Sequence, residues 1–517
     1  MVALTSAPYV MNWWSTPPGY HYLWILPPYP EDSFGYMAWA RQAADGALLL
    51  KLKYTALPHA PFLFHPLFLV CGWLSALFSC DVAMVFFWMK ALGVVIFLNA
   101  FYRYSDFLGL SAGESIVATI LLGISSGLGG IFMLIGLTNP WARLSTDLWM
   151  PEVSTFWSLL WNPLFPFSLA TMLLSIFWMD RGTRDSRPAD LWRSGLACAG
   201  TALLHPYSLP LLFILTVIVA TVRQGRDAFA YLWRYFAAAA PFAIYVAAIP
   251  HFQPLVAQHS VTGQMKSPTP LEYVFGFGPL LVVVILGIVA LRRQFLNRSW
   301  QLLVWFAAAL ALAYLPVWFQ RKFVFGAQIP LTIVGALVVF SAFKSIRRRA
   351  GKSVATTLAI ILLPVFCSTS IYILAQALRE VRENRTDAYY LTDEMVNALD
   401  NLRERSRRDD VVLATISTSR LIPALCGDTA MWGHWAMSVD RQQREEQIRH
   451  ILDVGSDLDN ETRAREFWDI GFRYIFADGE LKLSIEQHPF LWSAILKRAS
   501  KIFENGSVVI YERASDY

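Results

Sequence analysis

Apolar runs long enough to cross a bilayer recur through the first three quarters of this sequence, and no other feature restricts its fold so tightly. A bilayer core about 30 Å thick needs roughly 20 mostly apolar residues in a helix. Leu280–Leu291, extended back through Tyr273, and Leu358–Leu374, extended back through Val354, come close to that length. Backbone in lipid has no water to bond to, so such runs must be helices. Candidate spans fall near 60–79, 82–102, 115–137, 154–179, 190–204, 207–222, 235–250, 273–291, 300–317, 323–343 and 354–377. The expected fold is a polytopic α-helical membrane protein of roughly 10–12 spans.

Charge agrees with that class. Only 16% of residues are charged and the mean hydropathy is +0.42, whereas soluble domains carry about 25% charged residues. The net charge of +5 does not point to nucleic acid, because the basic residues of the apolar part sit in short loops. Four of the five cysteines lie in or beside apolar segments, and Cys426 stands alone in the tail, so the tail forms no internal disulfide.

Basic loops orient a membrane chain with their Lys and Arg inside. Arg181, Arg184, Arg187 and Arg193 form one such loop, and Arg223, Arg226 and Arg234 the next. Arg292, Arg293 and Arg298 form a third, and Lys344, Arg347, Arg348, Arg349 and Lys352 a fourth. Placing all four in the cytoplasm puts loops 138–153, 205–206 and 251–270 outside, and loop 15–60 is expected on the outer face as well. Everything after 378 is then outside too. The three spans between 60 and 137 break the parity, and the Gly-rich GISSGLGG at 123–130 is where the third could split into two short helices. A multi-span domain over 1–379 and a soluble extracytoplasmic α/β domain over 380–517 are therefore expected. In the latter, residues 388–406 show helical spacing, and DVVLAT, RYIFA and SVVIY read as strands between helices near 440–453, 460–470 and 484–498.

Four constellations carry candidate chemistry. Glu31 and Asp32 precede an amphipathic helix ending at Gly46, where a carboxylate could deprotonate an acceptor hydroxyl or simply favour the helix N-terminus. Asp147 and Glu152 in TDLWMPE offer hard oxygens for Mg²⁺ or Mn²⁺, or form a solvated loop. His205 and Tyr207, in LLHPY, sit at a turn between apolar segments and read as phosphate or sugar contacts or as a satisfied hairpin. Arg321 and Lys322 lie on the side where cations are disfavoured, so they need an anion: a lipid-linked phosphate, headgroups or an acidic side chain. In the tail, His434 between Trp432 and Trp435 reads more readily as core than as a sugar-stacking site.

The order of STPPGY at 15–20, EDSFGYMAWARQAADG at 31–46, DLWMPE at 147–152, LLHPY at 203–207 and QRKFVFGAQIPL at 320–331 resembles the GT-C superfamily. These are integral membrane glycosyltransferases that use polyprenyl-phosphate sugars, and the likeness is to bacterial relatives of the protein O-mannosyltransferase and aminoarabinose transferase group. That resemblance implies an inverting hexosyl- or pentosyltransferase of the inner membrane, working on a glycan, lipid or protein acceptor. Asp32 or Glu31 would activate the acceptor, Arg321 with Lys322, His205 and Tyr207 would bind the carrier, and Asp147 and Glu152 match the second acidic loop. The family places a full transmembrane helix before the first loop, whereas fourteen residues precede STPPGY here. An internal start at Met1 and a degenerate first helix are the two readings of that difference. A transporter or flippase, or a non-enzymatic assembly protein, is the alternative class. The former would show related halves and mid-span charges.

Overall fold

The computed structural model describes residues 1–137, 141–262, 264–386, 388–453 and 458–514, without the side chains of 141–142, 259–262 and 290–299. The chain forms two compact units, one from 1–8, 87–248 and 264–379, the other from 9–86, 249–263 and 380–517. Residues 9–86 thus belong with the C-terminal segment rather than with the remaining apolar residues, a division that the expected boundary at 379 did not contain.

The first unit is helical. Among the described residues of the whole chain, Val82–Phe107, Pro206–Phe252, Pro270–Val289 and Gln320–Glu383 are long and apolar enough to cross a membrane, Ala112–Ile124 and Trp300–Leu312 are shorter apolar helices of this unit, and Pro66–Phe78 is one of the second unit. Two of the long segments are interrupted at expected basic loops: Gly225 has φ +54°, and Gly351, at φ +90°, breaks the helix that runs from Gln328 to Glu383. The expected loop at Arg292, Arg293 and Arg298 falls on side chains outside the described set.

The Gly-rich break is present. Helix Ala112–Ile124 stops, and Gly129–Leu134 resumes after four residues. A Cβ on Gly127 would lie 2.4 Å from the Gly276 carbonyl oxygen, and one on Gly130 would lie 2.3 Å from Ser368 backbone, so only glycine admits these neighbours. The expected span 154–179 is in fact two helices, Thr155–Trp161 and Leu164–Arg184. Asn162 is extended at the junction, its side chain accepts from the Leu164 amide at 2.9 Å, and Pro163 supplies no N–H to continue the ladder. Leu164–Arg184 then packs on Ala189–Leu204, where Ser194 Oγ donates to the Ser175 carbonyl at 2.7 Å. Asp180, fully buried, pairs with Arg223 and accepts from Tyr104 and Gln301, each at 3.1 Å, so its charge is compensated inside the helical core.

The second unit contains the strands. β1 (Tyr20–Tyr22) pairs antiparallel with β2 (Tyr390–Thr392). The five-stranded sheet has the order β4-β3-β5-β7-β6, from β3 (Val411–Leu413), β4 (Thr429–Ala430), β5 (Tyr474–Ala477), β6 (Ala499–Glu504) and β7 (Val509–Arg513). β3, β5 and β7 are the three expected strands, and helices Asp393–Arg405, Arg441–Leu452 and Asn460–Asp469 match expectation. The last expected helix is divided at His488-Pro489 into Gly479–Gln487 and Pro489–Leu496. Phe467, Trp468, Ile475 and Trp492 fill the core beneath the sheet. Helix Pro30–Ala44 packs on Pro66–Phe78 in the same unit.

Candidate functional site

In the helical unit three of the four constellations converge. Arg321 and Lys322 sit in a 3₁₀ turn, Gln320–Val324, just before the last long helix. The turn is pinned through its backbone: the Arg321 amide donates to the Met265 carbonyl at 3.2 Å, and the Met265 amide to the Trp318 carbonyl at 2.6 Å. Lys322 Nζ forms an ion pair with Glu152 Oε1. Burial would raise the Glu152 carboxyl, but the charges of Lys322 and then Arg321 outweigh it and hold it at about 2. His205 is within electrostatic reach of both Lys322 and Glu152 and stacks on Phe325 at 4.4 Å, its Nδ1 2.9 Å from Ser208 Oγ. Tyr207 packs on Phe319 and Trp318, with ring centroids at 5.0 and 5.6 Å.

Arg321 stands apart within this group. Among the described residues its guanidinium makes no side-chain hydrogen bond or ion pair, and its Nε is buried. Among the described residues the acidic partner Glu152 makes its direct ion pair with Lys322, and acts on Arg321 only through the field.

Asp147 is not a solvated loop residue. It is buried, and Ser145 Oγ donates to its Oδ1 at 2.6 Å. Burial raises its carboxyl to about 6, against hydrogen bonds from Ser145, Thr369 and the Gly127 and Gly129 amides. It thus braces the Gly-rich break. Glu152 is committed to an ammonium, and no cluster of three or more His, Cys, Asp or Glu occurs among the described residues. Lys322 takes Glu152 Oε1, while Glu152 Oε2 and Asp147 Oδ2 are buried without a hydrogen bond from the described residues.

The first acidic constellation lies in the other unit. Pro30 occupies the first turn of helix Pro30–Ala44, with Glu31 and Asp32 beside it. Glu31 is exposed. Asp32 Oδ1 accepts from the Trp435 indole N–H at 2.9 Å and lies 3.7 Å from His434 Nε2. The Asp32 side chain keeps 24% of its surface accessible, and its Oδ2 takes no hydrogen bond from the described residues. A carboxylate with one oxygen tied and one open can accept a proton from a bound hydroxyl.

Sequence reasoning treated the 421–436 motif as core. That holds for Trp432, which is buried and donates to the Ala414 carbonyl at 3.1 Å. It fails for Trp435, which is 45% exposed. The signal was the polar residue held between two indoles, whose neighbour Asp32, 402 positions away, no local pattern reveals. A cavity of about 440 Å³ in the same unit, lined by Tyr22, Trp24, Arg41, Asp45, Asp81 and Arg403, contains none of the residues the sequence singled out.

No protein-family model matches the chain, and no curated protein matches it. Solved structures do. The Archaeoglobus fulgidus oligosaccharyltransferase AglB, in complex with an inhibitory peptide and a dolichol-phosphate, superposes with a TM-score of 0.50 at 13% identity, over 99% of this chain and 74% of that one. A crystal structure of an oligosaccharyltransferase from the same organism, complexed with Zn and sulfate, gives 0.49 at 14% identity, with 99% and 72% covered. The mycobacterial arabinofuranosyltransferase AftD gives 0.48 at 14% identity, covering 99% of this chain and 40% of AftD.

Proposed function

From the GT-C fold, which this chain has, we infer that the protein is a membrane glycosyltransferase taking its sugar from a polyprenyl-phosphate donor. The observation that carries the donor class is Arg321. A guanidinium that makes no side-chain hydrogen bond or ion pair with the described residues, beside a lysine already paired, suits a phosphate monoanion or diester oxygen. AglB, the neighbour with the TM-score of 0.50, was solved with a polyprenyl phosphate bound.

In the proposed reaction the acceptor hydroxyl attacks the anomeric carbon, and its proton passes to Asp32 Oδ2. A new C–O bond forms, the bond from the anomeric carbon to the phosphate oxygen breaks, and the electron pair leaves with polyprenyl phosphate. Phosphate is a good leaving group, so cationic stabilisation of its charge replaces a general acid. The displacement inverts the anomeric centre. The acceptor is a glycan, lipid or protein hydroxyl on the outer face of the cytoplasmic membrane.

The test is glycan and lipid analysis of a strain lacking the gene, followed by return of full-length variants at matched membrane levels. Asp32→Asn is expected to cut sugar transfer by about 10²-fold or more, and Glu31→Gln far less. Arg321→Ala is expected to raise the donor KM and lower kcat. Wild-type transfer by Asp32→Asn, Glu31→Gln and the double variant would remove the first loop from the chemistry. A deletion that changes no glycan or lipid would remove the reading altogether.

A further inference from the structure

We propose that Trp435 and His434 are positioning residues for Asp32, fixing the carboxylate so that Oδ2 is the oxygen presented to the acceptor. The proposal rests on the reading of Asp32 as the base and adds the residues that aim it.

Both groups address one oxygen. The Trp435 indole N–H donates to Asp32 Oδ1 at 2.9 Å, and His434 Nε2 is 3.7 Å from the same atom. The tautomer of His434 follows from its other nitrogen. Nδ1 accepts from the Ala436 and Met437 amides, at 3.1 and 3.2 Å, so in the neutral ring the proton sits on Nε2, facing Asp32. The indole N–H therefore binds Oδ1 while the His434 Nε2 stands 3.7 Å from the same atom, beyond hydrogen-bond distance, and the lone pairs of Oδ2 remain for an incoming hydroxyl.

The backbone is built for this approach. His434 is buried between Tyr54, at 5.6 Å, and Trp435, at 6.1 Å, and its amide donates to Ser438 Oγ at 3.1 Å. Gly433 has φ +134°, and a Cβ there would meet Ser419 backbone at 2.8 Å, so the turn that delivers the imidazole requires glycine. Gly35 lies one helical turn after Asp32 on the same face. A Cβ on Gly35 would sit 3.0 Å from both Nε2 and Cδ2 of His434, so the helix carries a glycine where the ring approaches. A base held within a few tenths of an ångström by locked neighbours avoids the reorientation that a free side chain must undergo at each turnover.

The experiment uses the full-length protein in membranes of the deletion strain, with the native donor lipids and acceptor of those membranes and the rate of the product that the deletion abolishes. Trp435→Phe keeps an aromatic ring and removes the N–H. It is expected to lower kcat by about 10-fold with both KM values unchanged. Trp435→Gln restores a donor and is expected to recover part of that loss. In an Asp32→Asn chain, Trp435→Phe is expected to cost less than about 2-fold, because a residue that acts through Asp32 has nothing left to aim. Wild-type kcat in Trp435→Phe, or a loss that adds in full to that of Asp32→Asn, overturns the proposal while leaving Asp32 as the base. A rise in acceptor KM alone would make Trp435 a binding surface and overturns it too. Full activity of Asp32→Asn overturns the base and, with it, the positioning. If Trp435→Phe does not accumulate, His434→Gln decides by the same kcat and double-variant criteria.

Discussion

Lys322 carries its ammonium to the Oε1 of Glu152, 170 positions earlier in the chain, and the pair is buried on the acidic side. Removing one member of a buried pair strands the other charge, at a cost of about 3–5 kcal/mol. Lys322→Met is therefore expected to destabilise the detergent-solubilised protein by that order, and Lys322→Met with Glu152→Leu to recover most of the loss. The pH dependence adds a second readout. A carboxyl held at about 2 stabilises the fold fully above its ordinary value of 4.5 and loses that contribution as pH falls from there towards 2. Loss of Lys322 lets the Glu152 carboxyl rise, so the acid sensitivity between pH 4.5 and 2 should shrink. Thermal unfolding of the single and double variants across that window checks both statements.

Gly72 faces helix Pro30–Ala44, where an added Cβ would lie 2.2 Å from the Ala40 carbonyl oxygen and 2.6 Å from Ala43 Cβ. Backbone atoms cannot swing aside, so Gly72→Ala should force the helices apart and cost about 1–3 kcal/mol. Because Asp32 starts that helix, activity is expected to fall along with stability. The check is the midpoint of heat-induced loss of the monodisperse peak; an unchanged midpoint would contradict the packing.

Asp428 is buried with Ser406 Oγ donating to it at 2.7 Å. Burial raises its carboxyl to about 7, against the Ser406 bond and the Lys53 charge. The folded state then holds a proton that the unfolded chain has released, so stability declines as pH rises from 3.8 towards 7. Asp428→Asn keeps an acceptor for Ser406 and cannot ionise. It should flatten that decline, leaving the variant more stable than the wild type at pH 8 and little different at pH 4. Denaturation curves at the two pH values decide it.

From the alternation of basic loops we predict that residues 380–517 lie outside the cytoplasm. A reporter enzyme that matures only outside, fused after Tyr517, should be active, and a cysteine placed at Arg348 should resist labelling by an impermeant thiol reagent in intact cells. Cytoplasmic reporter activity would reverse the orientation and move Asp32 to the wrong face for an external acceptor.

Much of this architecture was legible before any coordinates. Lipid enforces helices on apolar runs, so composition alone established the membrane class. The Gly-rich break at 123–130 and the interruptions at Gly225 and Gly351 follow from what a glycine permits locally. β3, β5 and β7 were legible because alternation and β-branched residues act over neighbours a few positions apart. The short β4, and β6 with its charged positions, carry no such pattern.

What the sequence could not determine is the fate of individual charges. Asp147 and Glu152 share one seven-residue motif, yet one carboxyl is raised to about 6 and the other held at about 2. Both are buried, and their difference comes from the Lys322 and Arg321 charges beside Glu152 alone, which no local spacing brings near. Asp32 likewise has the same neighbours in sequence as Glu31, and only folding gives it Trp435 and His434. The sequence by itself determined where the chain can be helical, where it must break and which residues carry charge, because those properties act through the backbone over a few residues. The tertiary structure alone decided which charge meets which partner, because Coulomb and hydrogen-bond energies depend on distance in space, and packing sets that distance between residues hundreds of positions apart.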